Sequence, residues 1–196
     1  MVNKDHKAFL KRAKANIFPD APEPEQVAEF FEAIGVALST WQLVEEALFL
    51  LYERAVEPNR PGAAGCGFHA LQFMGKLLVT DAAVRFALLG ASKKDAPALI
   101  DAWDNLFKKA RSKSTSRNHF AHFTVFSYLL KKKKSDRVRL EPSVYDYRYA
   151  AGLVAKKKYT LNDIRNHATA FDNMAVELRA FLSKIPPQKK PQPASP

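Results

Sequence analysis

From Pro24 onward the apolar residues fall at steps of three and four: Val27, Phe30, Phe31, Ile34, Ala37, Leu38, Trp41, Val44, Leu48, Leu51 and Tyr52. That spacing puts them on one face of an α-helix and predicts a single long helix from Pro24 to about Val56. Pro24 and Glu25 are the residue types that a helix start favours, proline because its missing N–H costs nothing there and glutamate because it meets the positive end of the helix dipole.

The rest of the chain punctuates in the same way. Residues 4 to 16 suit a short basic helix, which the prolines of FPDAPEPEQ interrupt. EPNRPGAAGCG, rich in proline and glycine, reads as a connector. A second main helix is expected over 68 to 89, ending at Gly90, with Phe73, Leu77, Val84 and Leu88 on its inward face. A third is expected from Asp95 as N-cap, with Pro97 just inside and Leu99, Ile100, Trp103, Leu106, Phe107 and Ala110 along it. It runs on, bent or straight, into SRNHFAH at 116 to 122.

After His122 the pattern changes. FTVFSYLL is β-branched and aromatic, KKKKSD is a polar turn, and RVRLEPSVYDY alternates, which predicts a hairpin. The last helix starts at TLND, where Thr160 and Asp163 have capping-box spacing. Leu161, Ile164, Phe171, Met174, Leu178 and Phe181 form its stripe. The expected fold is therefore mainly α: a bundle of four to five helices with a small β-hairpin insertion, about 123–159, before the last helix. A basic segment, 1–22, precedes the helical domain at 23–185. The Pro/Lys tail at 186–196 is too polar to bury and is expected to be disordered.

The net charge of +11 favours a polyanionic partner, nucleic acid first. Cys66 is the only cysteine, so no internal disulfide is available, which suits a reducing compartment. The N-terminal stretch lacks the apolar centre of a signal peptide, and no spanning helix is expected. A cytoplasmic protein without a membrane partner is the expectation. Glycine-rich phosphate loops, nucleophile elbows and Cys/His clusters are missing, so no cofactor and no metal are expected. His119 and His122 have i, i+3 spacing, but zinc sites need more ligands than two. His6 and His167 are expected on the surface. Trp41 and Trp103, flanked by leucine and phenylalanine, are expected in the core, and the alternating Tyr145, Tyr147 and Tyr149 are expected on the exposed face of a hairpin packed on the bundle rather than stacked on bases.

SRNHFAH is the stretch with chemistry in it. Asn118 and His122 are four apart and share a helix face, so the amide can orient the imidazole. Arg117 and His122 are five apart, about 140° around a straight helix. They converge only if the helix bends or a second subunit brings its own copy. An imidazole moves protons at neutral pH, and a guanidinium fork fits phosphate oxygens. Together they suit attack of an RNA 2′-hydroxyl on the adjacent phosphate. Lys108, Lys109, Arg111 and Lys113 precede the motif, and Lys131, Lys132, Lys133 and Lys134 follow it, as a candidate phosphate-binding rim. Glu45 lies at the edge of the first helix's stripe. It is a candidate partner for Arg117, either as a structural pair or to position the guanidinium.

The run Arg117-Asn118-His119-Phe120-Ala121-His122 resembles the Arg-polar-(x)-His motif of HEPN domains. The resemblance implies a helical bundle that often dimerises through the motif, and metal-independent endoribonuclease activity in many members, among them toxins with cognate antitoxins and phage-defence proteins. It puts Arg117 and His122 at the catalytic positions and Asn118 at the orienting one; beside the resemblance, Glu45 is a candidate supporting acid and His119 a supporting surface or groove residue rather than a second catalyst. RNA is then the substrate and the chain a homodimer. The β-insertion departs from the pattern. Two rivals stand beside this reading: a binding module that holds RNA, a nucleotide or a protein without turnover, and an interaction protein in which the motif only clasps helices.

Overall fold

Pro24 opens the first helix, and the apolar periodicity carries it to Val56 without a break (α1, Pro24–Val56). The computed structural model describes residues 24–58, 60–90, 95–127, 137–143 and 157–186. Expectations for residues 4 to 16, for Lys131 to Lys134, for the tyrosines at 145, 147 and 149 and for most of the tail lie outside the described residues. Among the described residues the chain is mainly helical, with α2 (Pro61–His69), α3 (Phe73–Leu89), α4 (Ala96–His122) and α5 (Leu161–Phe181) following α1. A two-stranded antiparallel hairpin, β1 (Thr124–Ser127) and β2 (Val138–Glu141), precedes the last helix.

The expected second helix over 68 to 89 starts later, at Phe73, and most of the expected connector before it is itself helical. PGAAGCGFH forms α2, and α3 starts at Phe73. Three glycines weaken a helix, but Pro61 stands in its first turn, and Phe68 is only 3% exposed. Its ring lies 5.3 Å from both Phe49 and Tyr52. Tertiary burial of Phe68 thus outweighs the local preference for a loop. At the end of α1, Glu57 takes φ of 43° and donates its N–H to the Glu53 carbonyl at 2.8 Å, a left-handed helix stop.

The chain divides into two compact units, residues 1–38 with 118–167, and residues 39–117 with 168–196. The second unit is a helical bundle. Trp41 on α1 sits at its centre, fully buried, with Phe73 of α3 at 4.7 Å and Phe171 of α5 at 4.9 Å. Trp103 on α4 is also fully buried and lies 5.6 Å from Phe181. Leu48, Leu51, Leu77, Val84, Leu88 and Leu178 complete the core. Ion pairs Arg179–Glu46 and Lys109–Glu177, each 2.8 Å, join its helices at the surface.

In the first unit the hairpin register pairs Thr124 with Glu141 and Ser127 with Val138. Tyr159 adds a single bridge to Leu140, its N–H and carbonyl both bonded at 3.0 and 3.1 Å. The capping box forms: the Thr160 N–H donates to the Asp163 carboxylate at 2.8 Å, and the Asp163 N–H to the Thr160 hydroxyl at 3.2 Å. Arg165 on α5 reaches Glu29 on α1 at 2.6 Å. Phe31, expected on the inward face of α1, is instead 57% exposed. Contrary to the expectation that no segment qualifies, α1 is long and apolar enough by length and composition to cross a membrane, although 39% of its most apolar window is buried in the fold.

Candidate functional site

The buried residues of α4 set the frame for the motif. Trp103, Leu106 and Ala110 are buried, at steps of three and four. The same steps continue to Lys113 and Arg117, both half-buried, and the Arg117 Nε is buried. Arg117 is therefore a member of the inward stripe of α4, which the same step carries on to the buried Phe120. Lys108, Arg111, Thr115, Asn118 and His122 follow the same steps on another side, and all five are exposed. At 100° per residue they fall within about 80° of arc, with Arg117 about 140° from His122. The helix is continuous through the motif.

The sequence-expected residues thus separate into two groups. Lys108, Arg111, Asn118 and His122 share one exposed face. Lys113 and Arg117 belong to the inward stripe, and Lys109, although exposed, is paired with Glu177 at 2.8 Å. Lys131 to Lys134 lie outside the described residues.

Glu45 has other partners than the one expected. It is 8% exposed, and its two oxygens accept from Trp41 Nε1 at 3.0 Å and Lys76 Nζ at 2.5 Å. The geometry makes it a core anchor between α1 and α3 and corrects its expected role as an acid supporting Arg117. The physical reason is burial. Lys76 is also 8% exposed, and a cation and an anion withdrawn from water need each other. A lysine inside the apolar run of α3, directly before Leu77, was the available sign.

His119 is half-buried and packed among aromatic rings. Its Nδ1 is hydrogen-bonded to the Tyr159 hydroxyl at 2.7 Å, and its ring stacks on Phe123 at 4.3 Å. Burial, with the nearby charges of Lys157 and His167, holds its pKa below the ordinary 6.5. His167, expected on the surface, is half-buried and meets Phe120 at 5.4 Å and Tyr159 at 5.6 Å, edge to face. Its place between Ile164 and Phe171, at the steps of the α5 stripe, gave that away. Phe120 itself is 3% exposed and Tyr159 1%. This aromatic and imidazole cluster is the packing centre of the first unit, and sequence reading missed it.

On β2, Glu141 is buried and one of its oxygens accepts from Lys158 Nζ at 2.8 Å. Cys66 is exposed with a free thiol. No family model, no curated protein and no solved structure matches the chain.

Proposed function

We propose that this protein is a cytoplasmic RNA-binding endoribonuclease of HEPN type that needs no metal ion and works as a homodimer. His122 serves as general acid–base for attack of the 2′-hydroxyl. Arg117, supplied by the other subunit, stabilises the charge on the phosphorane. Asn118 orients the imidazole. The products are a 2′,3′-cyclic phosphate and a 5′-hydroxyl. One observation carries the reading: His122 stands exposed on the same face of α4 as Asn118, Arg111 and Lys108. A proton carrier and a hydrogen-bonding amide thus follow two cations along one solvent-facing ridge, and cations recruit phosphates through counterion release.

A second reading, RNA binding without turnover, is favoured by the inward position of Arg117. Cleavage needs the guanidinium and the imidazole at one phosphate, and a straight helix holds them about 140° apart. Binding needs only the ridge.

Cleavage of a mixed RNA pool in excess EDTA separates the two. His122→Ala and Arg117→Ala are compared with wild type after circular dichroism shows matched folding. Metal-free cutting by wild type, lost in both variants, supports the nuclease. RNA binding without cutting, weakened by Lys108→Glu with Arg111→Glu, assigns the ridge to binding alone. Neither cutting nor binding leaves the motif as a clasp between helices and refutes both.

A further inference from the structure

Helix α3 has apolar surface on both sides. Leu77, Val84 and Leu88 face the core with no exposure at all. The exposed residues of the helix are Met74, Leu78, Ala82, Phe86 and Leu89, and none is polar. Phe86 and Leu89 are each 71% exposed, and Leu78 is 54% exposed. Leu71 extends the stripe at its start, packed against Gly75, where an added Cβ would sit 3.2 Å from the Leu71 Cβ. A helix apolar on two sides needs cover on both, and a contiguous exposed apolar stripe marks a contact surface.

The charges of α3 point the same way. Lys76 is held by Glu45, Asp81 accepts from Arg85 and from Trp103 Nε1, and Arg85 also bonds Asp104. All three charged side chains of the helix are thus ion-paired within the chain, which leaves the outer stripe without a charge. A helix that lies on an anionic membrane carries free lysine and arginine beside its apolar face. This one does not.

We infer that the outer stripe of α3 is the interface with a second copy of this chain, two α3 helices packing antiparallel across a twofold axis at Ala82. The spacing is self-complementary about that residue. Leu78 and Phe86 stand four before and four after it, Met74 eight before and Leu89 seven after. An antiparallel pair therefore sets Leu78 against Phe86 of the partner subunit and Met74 against Leu89 of the partner subunit. The smallest side chain falls where the two helices cross and lets them approach. A twofold contact needs this kind of self-matching patch. From the fractional exposures, the stripe offers roughly 600 Å² per protomer, about 1,200 Å² in a pair, the lower end of what a specific interface buries. The inference does not rest on RNA cleavage: α3 pairs whether or not His122 acts on RNA.

Sedimentation of the full chain tests it. The α3 contact by itself gives a species of twice the 22.0 kDa mass of the chain, and a separate twofold contact at the α4 motif would raise it to four times that mass. Leu78→Glu and Phe86→Glu, both at exposed positions, should each raise the dimer dissociation constant about 30-fold or more with an unchanged circular dichroism spectrum. In a Cys66→Ser background, Ala82→Cys should give a covalent dimer on mild oxidation, whereas Ala180→Cys, exposed on α5, should not. A monomer at high micromolar concentration overturns the inference. So does a dimer indifferent to both glutamates, or an Ala82→Cys variant that never cross-links. Co-sedimentation of a monomer with phosphatidylserine vesicles, lost in Phe86→Glu, reassigns the stripe to lipid.

Discussion

Replacing Lys76 with methionine removes a charge whose partner cannot follow it into water. Glu45 and Lys76 have side chains only 11% and 10% exposed, and the pair links α1 to α3 beside the buried Trp41. Methionine keeps the volume of the lysine stem, so packing loss is small. The carboxylate remains, bonded only to the Trp41 indole. Breaking a buried pair on one side costs about 3–5 kcal/mol. That is a large part of the roughly 5–15 kcal/mol that stabilises a domain. At about 2–4 °C per kcal/mol for a chain of this size, the melting temperature falls by roughly 6–20 °C. Combining Lys76→Met with Glu45→Gln removes both charges and keeps an acceptor for Trp41, so most of the loss returns. Urea unfolding followed by tryptophan fluorescence measures both, because Trp41 sits at the pair. A Lys76→Met cost below about 1 kcal/mol, or a double variant no better than the single one, would refute the reasoning that the two are coupled by shared burial.

The further predictions concern the first unit. His119 titrates below 6.5 because burial and the charges of Lys157 and His167 oppose protonation. Its neutral form is the one the fold favours, so its contribution is fully present above 6.5 and is lost as pH falls through the lower folded value. An NMR titration of the ring should show that depressed midpoint, and Tyr159→Phe, which removes the 2.7 Å hydrogen bond, should destabilise by about 1 kcal/mol; a midpoint at or above 6.5 contradicts the burial argument. At the start of α5, burial alone would raise the Asp163 pKa, but the N–H and hydroxyl of Thr160, helped by His167 and Arg139, bring it below the ordinary 3.8. Thr160→Ala should cost about 1 kcal/mol at neutral pH. Asp163's own contribution is complete above pH 3.8 and fades as pH falls through its lower folded value, so stability curves of Asp163→Asn and wild type should converge in acid.

The motif shows how far local spacing reaches. That Arg117 belongs with Trp103, Leu106 and Ala110 was readable from the steps of three and four, and so was the shared face of Asn118 and His122. His167 on the α5 stripe was equally readable. Lys76 as the partner of Glu45 was not, because the two are 31 residues apart and only the packing of α3 on α1 brings them to 2.5 Å. The aromatic cluster around His119 depends on Tyr159, 40 residues away, arriving through a single bridge to β2.

The sequence by itself determined the helix of Pro24–Val56, the run of α4 through the motif, the hairpin before α5 and the capping box at Thr160. Each is set by hydrogen bonds and side-chain spacing within a turn or two of the backbone, and such interactions are local. The tertiary structure decided what is decided by burial. It made PGAAGCGFH a helix by enclosing Phe68, and it gave Glu45 to Lys76. The inward face of α3 was readable from Phe73, Leu77, Val84 and Leu88, but the helix is apolar on its other side too, and only the packing of Phe73 on Trp41 decided that Leu78, Phe86 and Leu89 stay outside.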